Sequence, residues 1–218
     1  PSTRKRRTVC SSRQRFWILD LQSGSMAQIE YLDLAYAGQT DGRSVRIMNS
    51  NATIRHSRIH HGNNWGLLLE GAGIAPAFQN VEIDHCTGVA LHQSTFDMTP
   101  FYAGLNLHDN GGDYALINGA TLSRDVTLDG SPAALGGAPV YLGWANVAAG
   151  KTLTITAGSE VRFPSGGYLV VENGGVLLAV GNASAPITLT SQAATPTPGS
   201  WRRFDLQSGS RARLTYVG

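Results

Sequence analysis

Cysteine is scarce: Cys10 and Cys86 are the only two in 218 residues, with Cys10 near the N-terminus and Cys86 inside a β-like pattern. A disulfide framework is therefore not expected, and Cys86 reads as a small buried apolar residue. Charged residues are also few, at 15%, while glycine is abundant, at 26 residues. With β-branched residues recurring in short runs, that balance favours a turn-rich all-β protein over a helical one. No apolar run approaches the roughly eighteen residues of a membrane span, so no membrane partner is expected. Pro1 to Arg15 lacks the apolar centre of a secretion signal.

Acids are missing from the N-terminus altogether: none precedes Asp20, whereas Arg4, Lys5, Arg6, Arg7, Arg13 and Arg15 supply six of the 17 basic side chains. The formal charge of +2 thus hides a body, residues 16–218, that is mildly acidic. Residues 1–15 read as a disordered or artificially added tail, and nothing else in the chain suggests nucleic acid.

What the sequence does contain is repetition on two scales. Leu21-Gln22-Ser23-Gly24-Ser25 returns unchanged as Leu206-Gln207-Ser208-Gly209-Ser210, 185 positions later, and the same offset pairs Asp20 with Asp205 and Tyr31 with Tyr216. This marks residues 16–218 as one domain that breaks off inside a second copy of its own unit, as expected for a fragment of a tandem array. A shorter offset of 24 aligns Ile54, Phe78 and Tyr102, then Ile59, Ile83 and Leu107, then Leu67, Leu91 and Ala115; an offset of 25 adds Ile29 and Leu34. Units of about two dozen residues, each too small to bury its own apolar face, must stack on their neighbours. No segment sustains a helical apolar period, and a β-sandwich does not predict a constant offset. The expected fold is an all-β solenoid with coils of about 24 residues.

The stretch Val147-Ala148-Ala149-Gly150-Lys151-Thr152-Leu153-Thr154-Ile155, with Gly158, Val161 and Phe163, resembles a coil common in bacterial right-handed parallel β-helix proteins. Gly174-Gly175-Val176-Leu177-Leu178-Ala179-Val180-Gly181 and Pro186-Ile187-Thr188-Leu189-Thr190-Ser191 continue that pattern. The resemblance is to the pectin-lyase-like superfamily and covers roughly residues 16–218. It implies a right-handed parallel β-helix, a bacterial source and an extracellular or cell-surface location. It implies no single activity, because the superfamily spans lyases, hydrolases, adhesins and passive stalks. The calcium sites and catalytic strings of pectate lyases and polygalacturonases are not recognisable; the local Arg55-His56-Ser57-Arg58-Ile59-His60-His61-Gly62 is a different string.

All six histidines lie between His56 and His108. In the 24-residue register one row stacks His60, Asp84 and His108, and the adjacent row stacks His61, His85 and Asp109, with Tyr36 one coil earlier. Neighbouring coils lie about 4.8 Å apart, so these side chains meet. If Ile59, Ile83 and Leu107 point inward, His60, Asp84 and His108 point outward beside Arg58, Glu82 and Asn106. The row of His61, His85 and Asp109 would then point inward or form a corner. Imidazoles and carboxylates from three coils suit a divalent metal, Zn²⁺ among them. Such an ion would generate a hydroxide for ester or phosphoester cleavage, with Glu82 and Arg58 completing the catalytic surface. Stacked polar residues are also ordinary in solenoids, where they need only be hydrogen-bonded. Two functions follow: a metal-dependent hydrolase of ester or phosphoester bonds on a small molecule or glycan, or a non-catalytic carbohydrate-binding, adhesin or spacer module. A polysaccharide lyase stands third. Open coil ends would expose unpaired strand edges and favour a homo-oligomer. His92, on a row with Leu68 and Leu116, reads as a packed histidine, and Asp109-Asn110-Gly111-Gly112-Asp113 as a glycine-rich turn.

Overall fold

A computed structural model describes residues 18–38 and 42–218. The basic tail with Cys10, and Trp17, lie outside the described residues.

The first half of the chain alternates between two sheets. Its strands are β1 (Leu19–Leu21), β2 (Gln28–Glu30), β3 (Asp33–Ala35), β4 (Arg43–Met48), β5 (Thr53–His60), β6 (Trp65–Glu70), β7 (Ala77–Asp84), β8 (Val89–Gln93), β9 (Phe101–His108) and β10 (Gly112–Ile117). The second half needs three sheets per turn. It runs through β11 (Ala120–Leu122), β12 (Val126–Leu128), the short helix α1 (Pro132–Leu135), β13 (Val140–Leu142), β14 (Trp144–Val147), β15 (Thr152–Ile155), β16 (Glu160–Phe163), β17 (Tyr168–Val171), β18 (Val176–Val180), β19 (Thr188–Ser191), β20 (Arg203–Leu206) and β21 (Arg211–Thr215).

Sheet A holds β1-β4-β6-β8-β10-β13-β16-β19 and runs the length of the molecule. Sheet B holds β2, β5, β7 and β9, with β3 also on β5; sheet C is β11-β14-β17-β20 and sheet D is β12-β15-β18-β21. Every named pairing is parallel. The molecule is a right-handed parallel β-helix of about seven turns.

One apolar row explains why the coils stay in register. Leu19, Val45, Leu67, Leu91, Ala115, Val140, Val161 and Leu189 follow one another along sheet A without a break. Six of these eight, Val45 through Val161, have at most 1% of their surface exposed. A slip of one residue would turn such a row to solvent, and each buried aliphatic side chain contributes about 1.5–3 kcal/mol. The row Ile59–Ile83–Leu107 does the same for sheet B. Gly66 makes room there, since a Cβ on it would lie 2.4 Å from Cγ2 of Ile83.

The polar side chain of Gln93 stands in an otherwise apolar row between Leu69 and Ile117. It is satisfied inside the core: it donates to the Thr95 carbonyl at 2.8 Å and accepts from the Tyr102 hydroxyl at 3.3 Å. Burial drives the Tyr102 hydroxyl far above the ordinary tyrosine range. Cys86 is 2% exposed, as expected of a packed residue, and burial pushes its thiol up as well.

Sheet B is bent and ended by left-handed residues. Tyr31, His56 and Asn80 have φ of 55°, 47° and 51°, and Gly104 follows at 70°. Tyr36, His61, His85 and Asp109 form a second such row, with φ between 51° and 57°. The left-handed region disfavours residues with a Cβ, and histidine, asparagine and aspartate tolerate it better than most. In the second row the first three backbone N–H groups cross to the next coil: Tyr36 donates to the His60 carbonyl, His61 to that of Asp84 and His85 to that of Asp109, all at 3.1 Å. That is a corner.

Spacing departs from 24 in the second half. Val140 pairs with Val161, 21 residues on, Val161 with Leu189, 28 on, and Tyr168 with Arg203, 35 on. The strands obey the stacking rule, and the loops between them do not have to.

Candidate functional site

The site lies on sheet B, on the side of the strands away from Ile59, Ile83 and Leu107. Strand register sets His60 beside Asp84 and Asp84 beside His108, and in the neighbouring row Asp33, Arg58, Glu82 and Asn106 follow one another. The corner row of His61, His85 and Asp109 borders them.

Three rungs repeat one connection. On the first, Asp33 Oδ1 lies 2.8 Å from His60 Nε2, and His60 Nδ1 lies 2.8 Å from His61 Nδ1. On the second, Arg58 donates to Asp84 from Nε at 2.6 Å and from Nη2 at 3.0 Å, and His85 Nδ1 lies 2.7 Å from Asp84 Oδ1. On the third, Glu82 Oε1 lies 2.8 Å from His108 Nε2, whose Nδ1 lies 2.8 Å from Asp109 Oδ2. In each case the first residue reaches diagonally to the next coil, and the last is the immediate chain neighbour of the middle one.

Burial differs sharply along the central row. The Asp84 side chain is 0% exposed, against 14% for His60 and 35% for His108. Desolvation alone would raise the Asp84 carboxyl, but the hydrogen bonds from Arg58 and His85 outweigh it and hold the group below the usual carboxylate range. His108 is raised, first by Asp109 and then by Glu82, because both carboxylates favour its charged form.

Two clusters have metal-ligand spacing. One ligand atom each from His60, His61 and Asp84 lie within 4.8 Å of one another, and the same holds for Glu82, Asp84 and His108. His85 and Asp109, expected among the ligands, belong to neither group; they bind the flanks of Asp84 and His108 instead. His61, His85 and Asp109 share the left-handed corner conformation and all stand exposed, but only His61 brings a ring nitrogen within reach of both His60 and Asp84. The His61 and His85 rings stack at 4.9 Å with 8° between their planes, and Tyr36 packs on His61 at 5.0 Å.

Asp33 is the member of this face that the 24-residue spacing does not single out. It sits one coil earlier, where the offset is 25, and its strand partner is Arg58 rather than a histidine. A carboxylate on one imidazole nitrogen fixes the tautomer and leaves the other nitrogen free to ligate.

The remaining candidates are structural. His92 packs between Leu68 and Leu116 against Trp65, at 4.6 Å between ring centroids. Asn110 closes the glycine-rich turn by donating to the Ile83 and His108 carbonyls at 2.8 and 2.9 Å. Trp201 stacks on Phe163 at 4.7 Å, a packing role.

Residues 120–206 match the pectate-lyase like beta helix domain family. The match spans β11 to β20 and therefore bears on the coil architecture; at the level of function it points to carbohydrate at most. The histidine–carboxylate face, built from residues 33–109, lies outside the matched stretch. No curated protein and no solved structure matches the chain. No helix among the described residues is long and apolar enough to cross a membrane.

Proposed function

We propose that the chain is a carbohydrate-directed β-helix module of a bacterial cell surface. Its sheet B face holds a divalent cation and cleaves ester or phosphoester groups on a glycan. The convergence of His60, His61 and Asp84 carries this reading. Their ligand atoms lie within 4.8 Å, the two Nδ1 atoms are 2.8 Å apart, and Asp33 occupies His60 Nε2. Ligand atoms around one tetrahedral zinc lie about 3.3 Å apart for bonds near 2.0 Å, so small side-chain rotations suffice.

A bound cation would supply water acidic enough to ionise near neutral pH. The chain's own residues have distinct tasks. Asp33 orients the His60 ring through Nε2. Arg58 and His85 keep Asp84 ionised in a buried position, which readies an anionic ligand. Glu82 and His108, across Asp84 from His60, form the second half of the site.

Purified chain, stripped with chelator and reloaded with Zn²⁺ or Mn²⁺, tests the reading on a panel of acetylated, feruloylated and phosphorylated sugars. Turnover that returns with the ion and vanishes in His60→Ala and His61→Ala is expected. Asp33→Asn should weaken metal affinity by about 10–100-fold. Unchanged turnover in both histidine variants would exclude this centre.

A second reading has one observation in its favour: each central group already has two partners within the protein, and Tyr31 and Tyr36 beside it are 78% and 75% exposed. A non-catalytic glycan-binding face would use those rings as platforms. Glycan retention without bound metal, lost in Tyr31→Ala and Tyr36→Ala, would support it.

A further inference from the structure

Asp84 belongs to both ligand clusters, His60–His61–Asp84 on one side and Glu82–Asp84–His108 on the other. The two halves share a design. His60 has one ring nitrogen on Asp33 at 2.8 Å and the other facing His61; His108 has one on Asp109 at 2.8 Å and the other facing Glu82, also at 2.8 Å. In each half an outer carboxylate anchors the imidazole and a second ligating group stands across from the remaining nitrogen. Between them the Asp84 carboxylate is fully buried and its two oxygens point to Arg58 and His85. Three of its roughly four acceptor positions are taken, two of them by one guanidinium.

Charge gives an independent argument. Asp33, Glu82, Asp84 and Asp109 bring four carboxylates to these rungs, and Arg58 is the one fixed positive charge among them. Arg58 is 44% exposed, so its head can leave into water. A guanidinium on a buried carboxylate occupies the place that a divalent cation would take.

We infer that the site is dinuclear. One cation sits with His60, His61 and Asp84, a second with Glu82, Asp84 and His108, and Asp84 is shared; Arg58 is the internal cation they displace. This rests on the metal-dependent reading above and extends it. A pair of ions bridged by a carboxylate clamps both the attacking and leaving oxygens of an ester or phosphoester, which suits phosphoryl groups best.

The test is metal binding by the full chain, apart from any turnover. Chelator-stripped protein is titrated with Zn²⁺ by calorimetry and assayed for bound metal after gel filtration. Two ions per chain are expected in the wild type and one each in Glu82→Gln, His108→Ala and His60→Ala. Loaded with Mn²⁺, the wild type should give an exchange-coupled paramagnetic resonance spectrum, and Glu82→Gln an uncoupled one. Arg58→Gln should bind at least tenfold tighter, because the competing guanidinium is gone. These four substitutions alter groups at the sheet surface, and circular dichroism confirms the fold of each.

Saturation at one ion, unaffected by Glu82→Gln and His108→Ala, would overturn the dinuclear site and leave the single-cation reading standing. Absence of any binding would remove both. Weaker binding in Arg58→Gln would show that Arg58 supports the ions, and would overturn its displacement.

Discussion

Arg58 spans one coil to grip Asp84 with two hydrogen bonds, of 2.6 and 3.0 Å, and the carboxylate it grips is shielded completely from water. A buried charge that loses its partner is strongly destabilising, whereas an exposed pair contributes little. In the metal-free protein, Arg58→Ala should lower the thermal midpoint by several degrees. Glu82→Gln, whose carboxylate lies 3.5 Å from Arg58 and is 41% exposed, should change it hardly at all. Equal effects in scanning calorimetry would place the stabilisation elsewhere. On the dinuclear proposal, the contact that stabilises the metal-free protein is the one that loading would break.

The left-handed row in the middle of sheet B offers a backbone test. Asn80 and Gly104 occupy successive coils of that row with φ of 51° and 70°. Asn80→Gly should be neutral or stabilising by up to about 1 kcal/mol, since glycine pays no steric penalty there. Gly104→Val should cost about 1–2 kcal/mol, because it forces a branched side chain into that conformation with its Cβ 3.0 Å from Asn80 Oδ1. Urea denaturation measures both, and the two effects should have opposite signs or differ by more than a kilocalorie.

Ile83 separates the site from the core. It is fully buried between Ile59 and Leu107, and its chain neighbours are Glu82 and Asp84. Ile83→Ala should cost about 2–5 kcal/mol through the lost burial and the cavity left behind. Metal affinity should fall with it, because Glu82 and Asp84 share its strand. A variant with lowered stability and unaltered metal binding would mean the face is held by its surface network alone.

Strands β20 and β21 stand at the edges of sheets C and D, and the Leu206–Ser210 string that joins them repeats Leu21–Ser25, which leads out of β1 on the edge of sheet A. Leu206 and Leu214 are 45% and 43% exposed there. A second copy of the chain, whose Leu21–Tyr31 segment repeats this sequence and its left-handed turns at the other edge, is the expected partner. Mass by light scattering should rise with concentration, and Leu206→Lys with Leu214→Lys should restore the monomer. A wild type that stays monomeric throughout would reject this contact.

Residue spacing alone led to much of this arrangement. Rows such as Ile59–Ile83–Leu107 recur at constant offset because burial punishes any slip, so period and register were legible together. The 185-residue echo also extends to backbone shape, with φ of 79° at Gly24 and 81° at Gly209, and 55° at Tyr31 and 48° at Tyr216. Less was legible where loops carry the geometry. The split into sheets C and D, and the turns of 21 to 35 residues, depend on corner lengths that no core row fixes. His61 and His85 read as a row that points inward or forms a corner; spacing left that choice open, and the left-handed backbone decides for the corner. Asp33 was hidden because its bond to His60 runs diagonally, between residues that do not share a row.

His92 gives the pH dependence that is easiest to isolate, since it lies on sheet A, away from the histidine–carboxylate face. Both ring nitrogens are shut off from water without a partner in hydrogen-bonding geometry, and the ring packs on Trp65. Burial holds its pKa below the ordinary histidine value of 6.5, against the opposing pull of Asn118 and of the Glu70 carboxylate. The folded protein thus keeps His92 neutral at pH values where the unfolded chain already binds a proton. Its share of the stability is intact above about 6.5 and is lost as pH falls from there through the depressed folded value. His92→Leu matches Leu68 and Leu116 on either side and cannot titrate, while every other ionisable group is unchanged. Between pH 7.5 and 5.5 the urea midpoint of the wild type should therefore fall further than that of His92→Leu. A wild type that resists acid better than the variant would mean that His92 is charged in the fold, and that the row beside it is wet.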